Sequence, residues 1–183
     1  KVESGEVYFT KYLRWIDESK PSHPKSIFTK THVKRWPEKF GAQYRYDVQV
    51  LAGEKEALFP ISKNRMKFLR KNSADEKNQL SEVVSYLEER YRVLGIETHR
   101  QRFNWRGILQ ENLIAVIPGT EPSETNHPVL LADHFDTAFS EIAFEKTGVR
   151  VSAPGADDNA TATAALLSAA EVLRDSKPRY DIW

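Results

Sequence analysis

Residues 129–136 read VLLADHFD, an apolar run that ends in a histidine and an aspartate two positions apart. The run has no polar alternation, which is typical of a parallel strand covered on both faces. Residues two apart in an extended segment point the same way, so His134 and Asp136 share a face. There an imidazole can bind a metal through one nitrogen while a carboxylate holds the other. An ordinary pair of surface residues is the alternative interpretation.

A second polar group lies at residues 154–160, which read PGADDNA and lead into an alanine-rich helix predicted over 160–173. Acidic residues are favoured at helix starts, so an N-capping cluster is the alternative here. A carboxylate at a helix entry can also bridge two cations, and a nearby histidine can complete one coordination sphere. Because Asp158 follows His134 by only 24 positions, the two motifs together indicate a metal site.

The elements around these motifs predict a mixed α/β fold. Short apolar runs at 112–118 and 129–132 are predicted to be strands, and a further strand is predicted to begin at Tyr180. With the helix over 160–173 between them, these strands have the rhythm of a βαβ unit. Open α/β sheets build their sites at the carboxyl ends of such strands, which is where His134 lies.

A further helix is predicted upstream of the first strand. Ser73 and Glu76 have the spacing of a capping box at its start, and Gly95 is suited to a left-handed end. Apolar residues recur between them at helical spacing, at Leu80, Val83, Val84, Leu87 and Leu94. We therefore expect one face of this helix to lie in the core.

The first sixty residues are less regular. One short stretch alternates apolar with polar residues as a half-buried strand does, at Tyr44, Tyr46, Val48 and Val50. A turn is predicted after it at Ala52-Gly53. We expect residues 1–60 to be an irregular extension packed on a larger domain, and a regulatory or substrate-gating segment is the alternative.

Composition excludes several classes of protein. The 183 residues carry a net charge of only +1, whereas dedicated nucleic-acid binders have a large basic excess. The chain has no cysteine, which excludes disulfides, thiolate zinc sites and a cysteine nucleophile. No apolar run approaches the length of a membrane span, so a membrane is not an expected partner. Because of the small net charge, nucleic acid is not an expected partner either. The lack of cysteine is compatible with a secreted or periplasmic protein.

Three stretches, NLIAVIPGT, PVLLADHFDT and APGADDNATATAALLSAAEVL, resemble in this order the co-catalytic di-zinc aminopeptidases. Those aminopeptidases share their fold with glutaminyl cyclases and the transferrin-receptor ectodomain. The resemblance covers about residues 61–183. It implies a three-layer α/β/α zinc-peptidase fold with a mostly parallel central sheet, of which residues 61–183 are the amino-terminal half. The related carboxypeptidases and deacylases carry Arg-Gly before their aspartate motif, and they fit less well because Ala153-Pro154 stands in front of Gly155 here.

The resemblance also implies roles for individual residues. His134 is expected to be a terminal ligand of one Zn²⁺, with Asp136 holding its ring in orientation. Asp158, and not Asp157, is expected to bridge two zinc ions, and the peptide bond between Asp158 and Asn159 is a candidate for the cis form. One departure lies just after these residues, where residues 160–162 read Ala-Thr-Ala in place of the usual Ala-Ser-Gly.

The expected activity is hydrolysis of the amino-terminal peptide bond of a peptide substrate. The general base and the remaining zinc ligands are expected outside this sequence, on a C-terminal remainder of the same polypeptide that is present as a separate chain. An inactive fragment is the alternative to that arrangement. Two other functions fit the same resemblance, a glutaminyl cyclase and a non-catalytic binding scaffold.

Overall fold

The computed structural model describes residues 30–137, 141–148 and 154–183. Helix α1 is Lys30–Leu51, followed by the short strands β1, Ala57–Leu58, and β2, Arg65–Met66. Helix α2 is Leu80–Val93, and strands β3, Glu97–Trp105, and β4, Ile108–Val116, come next. Helix α3 is Glu141–Thr147; a π-helical turn, Ala156–Ala160, then leads directly into helix α4, Thr161–Leu173. The protein is therefore a mixed α/β protein, as the sequence predicts.

The chain divides into two compact units, residues 1–37 and 38–183. Of the first unit the structure describes residues 30–37, which are helical. The second unit contains the elements from β1 to α4 and the two motifs of the predicted metal site. The division at residue 60 stays a prediction, and residues 1–29 of the expected extension lie outside the described residues. None of the described helices is long and apolar enough to cross a membrane.

Strands β3 and β4 form an antiparallel hairpin whose register runs from Glu97 opposite Val116 to Trp105 opposite Ile108. Its two-residue turn has positive φ at both positions, 51° at Arg106 and 85° at Gly107. Turns of this kind match the right-handed twist of the strands that they connect. The residue that follows β4, Ile117, then pairs with the segment at the C-terminal end of the sequence.

Three extended segments meet at the end of this hairpin. Ile117 pairs with Ile182 in antiparallel fashion, and Val129 pairs with Ile182 in parallel. The amide of Val129 donates to the carbonyl of Asp181 at 2.8 Å, and the amide of Trp183 donates to the carbonyl of Val129 at 2.9 Å. The parallel direction that a βαβ unit requires of these two segments is present, but in the described residues each contributes an isolated bridge and not the predicted strand.

The expectation that the apolar run at 129–132 is covered on both faces is wrong for the residues that the structure describes. Leu130 is 69% exposed, and Val129 and Leu131 are also exposed. In the described part of the chain, the apolar side chains of this segment are in contact with solvent.

The core of residues 38–183 lies where three helices meet. The aromatic rings of Phe59, Phe68 and Tyr86 pack edge to face, with centroids 5.5–6.5 Å apart. Around them are buried side chains of all three helices: Val50 and Leu51 of α1, Val83 and Leu87 of α2, and Ala164 and Leu167 of α4. The predicted apolar face of α2 is confirmed, and Gly95 after it has φ 74°.

The predicted capping box at Ser73 is wrong, because α2 begins seven residues later at Leu80. Residues 72–80 instead form successive turns in which side-chain oxygens accept backbone amides two residues ahead. Asn72 accepts from Ala74, Asp75 from Lys77 and Asn78 from Leu80, at 2.9–3.0 Å. Short Asn and Asp side chains offer the backbone this alternative to helix, and here the turns are formed.

The strand predicted over residues 44–50 is also wrong. Residues 30–51 form helix α1, where the sequence led us to expect irregular structure. Asp47, Val50 and Leu51 are buried, and this spacing of three and four places them on one helical face. Packing of that face on α2 outweighs the local alternation. The predicted turn at Ala52-Gly53 is confirmed, with φ 73° at Gly53.

Candidate metal centre

The two motifs lie next to each other in the structure. His134 lies in the segment that follows the parallel pairing of Val129, and Asp158 lies in the π-helical turn that precedes α4. The amide of Ala160 donates to the carbonyl of Gly155 at 2.9 Å, which closes the wide turn. The turn therefore presents the Asp158 carboxylate toward the 129–137 segment.

The imidazole of His134 stands between two carboxylates. Its Nδ1 lies 3.1 Å from Oδ1 of Asp136, and its Nε2 lies 3.2 Å from Oδ1 of Asp158. The side chain of Asp158 is 66% exposed and that of His134 55% exposed, so both are open to solvent. The three residues singled out in the sequence are thus brought together, with a different carboxylate at each ring nitrogen.

This geometry fits a shared metal ion at the Asp158 side of the ring. Two ligand atoms that bind the same tetrahedral zinc ion, each at about 2.0–2.1 Å, lie about 3.3 Å apart. This is close to the 3.2 Å between Nε2 of His134 and Oδ1 of Asp158. With the proton on Nδ1, His134 donates to Asp136 and presents the Nε2 lone pair to the ion. A zinc site needs three or four protein ligands. Within the described ranges, no group of three or more His, Asp or Glu side chains has the arrangement of a complete metal site.

The loops that carry the two motifs approach each other closely at Gly155. A Cβ atom at this position would lie 2.0 Å from Cγ2 of Thr137, and Gly155 has φ 55°. Only glycine combines this backbone conformation with so close a neighbour. The peptide bond between Asp158 and Asn159 is cis, as predicted. Ala153, which with Pro154 is the predicted difference from the related carboxypeptidases, lies outside the described residues.

Sequence reasoning missed Asp133 and Thr163, which connect the two motifs. The Thr163 hydroxyl donates to Oδ2 of Asp133 at 2.5 Å. Burial raises the pKa of the Asp133 carboxyl, and the Thr163 hydroxyl and the neighbouring His134 oppose that rise. Alternation along the strand places Asp133 on the opposite face from His134, which is the one signal that could have directed attention to it.

Lys71 was missed as well. Its side chain is 1% exposed, and its ammonium donates to the carbonyl of Leu51. Burial lowers the pKa of Lys71 to about 8, although the negative charge of Asp136 acts in the opposite direction. The backbone carbonyl of Lys71 also accepts the amide of Thr137 at 2.9 Å. A buried cation therefore lies behind the carboxylate that orients His134.

Part of the chain matches a known protein family. Residues 112–183 match the model of peptidase family M28, which includes co-catalytic zinc aminopeptidases, glutaminyl cyclases and the transferrin receptor. The matched region begins in β4 and contains His134, Asp136 and Asp158. The resemblance seen in the sequence is confirmed for these residues. No curated protein matches the chain.

Proposed function

We propose that the protein is a zinc-dependent aminopeptidase, because residues 112–183 match the model of peptidase family M28. The observation that carries this proposal is the 3.2 Å separation between Nε2 of His134 and Oδ1 of Asp158. A histidine and a carboxylate at this distance supply two ligands of different type to one ion.

The residues of this chain have distinct tasks in the proposed site. His134 would hold the ion through Nε2 while Asp136 accepts a hydrogen bond from Nδ1–H, which fixes the plane of the ring and increases its basicity. The two oxygens of Asp158 are available to two ions. Bound zinc supplies a Lewis acid for the substrate carbonyl and lowers the pKa of the attacking water. The general base that takes the proton of that water belongs to the part of the polypeptide beyond these residues.

We propose further that the sheet continues past the Val129 segment into a three-layer α/β/α domain with a mostly parallel sheet. The strongest support is the row of exposed apolar residues there: Val129, Leu130, Leu131 and Trp183. A sheet edge with exposed apolar side chains favours pairing with another strand. The partner we propose is the C-terminal remainder of the same polypeptide, as a separate chain, which also supplies the missing ligands.

Zinc content is the first test of the metal site. The full-length protein is purified without chelator and its zinc-to-protein ratio is measured for the wild type, His134→Ala and Asp158→Asn. His99→Gln is the control, because His99 is an exposed histidine beside Glu97 on β3, remote in sequence from both motifs. We expect zinc in the wild type and the control and a lower ratio in the two site variants. Equal ratios in all four proteins would contradict the proposed ligands.

A substrate panel tests the reaction. Aminoacyl anilides report aminopeptidase activity, and a peptide with amino-terminal glutamine reports cyclisation. We expect release of the amino-terminal residue, with activity lost together with zinc in the Asp158→Asn variant. Cyclisation of glutamine without hydrolysis of the anilides would identify a glutaminyl cyclase instead, and a protein that binds no zinc would be a scaffold.

A further inference from the structure

Thr163 stands between the immediate neighbours of the two proposed ligands. It lies in the first turn of α4 and is 4% exposed. Its hydroxyl oxygen is 2.5 Å from Oδ2 of Asp133 and 3.3 Å from the backbone carbonyl of Asn159. Asp133 directly precedes His134, and Asn159 directly follows Asp158. One buried hydroxyl thus contacts both segments that carry the site.

The short contact to Asp133 is the stronger of the two interactions. A hydroxyl has a single proton to donate, and a hydrogen bond to a carboxylate is shorter and stronger than one to a neutral carbonyl. Asp133 is partly buried, so its carboxylate depends on this donor in place of water. The 129–137 segment is therefore tied to α4 by a contact that is costly to break.

We propose that Thr163, through Asp133, is a positioning residue that sets the separation between His134 and Asp158. This inference rests on the proposed zinc site. His134 and Asp158 are exposed, so little packing of their own side chains holds them at 3.2 Å. The Thr163–Asp133 hydrogen bond holds Asp133, the residue before His134, against α4. Helix α4 in turn follows directly after the turn that carries Asp158. Losing it lets the two ligands move apart without removing either of them.

The test is zinc affinity of the full-length protein, measured by competition with a chelator. Thr163→Val keeps the size and burial of the side chain and removes the hydroxyl. We expect its affinity to fall by about 10- to 100-fold, the usual effect of losing a contact that orients metal ligands. Thr163→Ser keeps the hydroxyl and removes only the methyl group, and we expect it to retain the wild-type affinity.

Thr161→Val is the matched control. Thr161 is on the same turn of α4, but its hydroxyl donates to the carbonyl of Asp157 at 3.0 Å, within the same segment. We expect this variant to bind zinc as the wild type does. Equal losses in Thr161→Val and Thr163→Val would mean that any hydroxyl at the helix start matters, and would overturn the proposal.

Changes at Asp133 provide an independent arm if Thr163→Val does not fold. Asp133→Asn keeps an oxygen that accepts from Thr163, whereas Asp133→Ala removes it. We expect a larger loss of zinc affinity for alanine than for asparagine, and no further loss when Thr163→Val is added to Asp133→Ala. The absorption spectrum of bound Co²⁺ should change in the variants that lose affinity and stay the same in Thr161→Val.

Three outcomes decide the matter. Loss of affinity in Thr163→Val with recovery in Thr163→Ser supports the proposal. Wild-type affinity in a folded Thr163→Val variant overturns it and leaves the zinc site intact. A wild-type protein that binds no zinc overturns the zinc site itself and this inference with it.

Discussion

Replacing Lys71 by methionine is expected to stabilise the protein at neutral pH. Burial lowers the pKa of Lys71 from its ordinary 10.5 to about 8, so the folded state releases this proton more readily than the unfolded chain does. At pH 7 the lysine is charged in both states, and the cost of burying that charge is present in full. The cost is roughly 3 kcal/mol, from about 1.4 kcal/mol for each pH unit by which the pKa is lowered.

The sign of the pH dependence follows from proton binding. Between pH 8 and pH 10.5 the unfolded chain holds the Lys71 proton while the folded protein loses it. The contribution of Lys71 to the free energy of unfolding therefore rises with pH across this window, and the cost of burial disappears toward its upper end. Methionine has no such dependence.

The expected difference between the two proteins can be worked out at two pH values. Methionine removes the roughly 3 kcal/mol cost at pH 7 and loses the hydrogen bond to the Leu51 carbonyl, worth about 1 kcal/mol. The variant should therefore be more stable by about 2 kcal/mol at pH 7, and the advantage should be close to zero at pH 10. Urea denaturation followed by tryptophan fluorescence measures both values.

Lys77→Met is the control for this experiment. Lys77 is exposed in the turns that precede α2. Its replacement should change the free energy of unfolding by less than about 0.5 kcal/mol at either pH. A Lys71→Met variant that is less stable than the wild type at pH 7, or whose advantage is the same at both pH values, would refute the reasoning.

Three further substitutions test the packing around the core and the site. Asp47→Ala should lower the free energy of unfolding by about 3 kcal/mol in urea denaturation, because it leaves the guanidinium of Arg90 without its partner in a buried ion pair. An unchanged free energy of unfolding would show that the pair is dispensable. Gly53→Ala should cost about 2 kcal/mol in the same assay, since φ is 73° and the new Cβ would lie 2.0 Å from a backbone carbonyl oxygen; wild-type stability would contradict this. Gly155→Ala should weaken zinc binding in a chelator competition by forcing the loop away from Thr137, and unchanged affinity would contradict the close approach of the two loops.

Short-range patterns in the sequence predict some features of the fold correctly, although the alternation over residues 44–50 and the capping-box spacing at Ser73 do not. The buried stripe of α2 follows from apolar residues three and four apart, and both Gly95 and Gly53 mark turns where positive φ is required. The contact of His134 with Asp136 follows from strand alternation alone. These features need no knowledge of distant parts of the chain.

Features that depend on tertiary contacts could not be predicted from the sequence. Thr163 meets Asp133 across 30 positions of sequence, and nothing local distinguishes it from Thr161, the other threonine of α4. In the sequence, Lys71 is one of several basic residues that lie close together, and only the structure shows that its side chain is buried. The two motifs together indicate a metal site, but the choice of Asp158 over Asp157 as the partner of His134 required the family resemblance, because both aspartates fit a capping cluster equally well.

Anomalous diffraction at the zinc absorption edge tests the central claim most directly. Crystals of the full-length protein grown with zinc should show an anomalous peak about 2.0–2.1 Å from both Nε2 of His134 and Oδ1 of Asp158. A peak bound elsewhere on the protein, or no peak at these two atoms in crystals that contain zinc, would contradict the claim that they hold the metal.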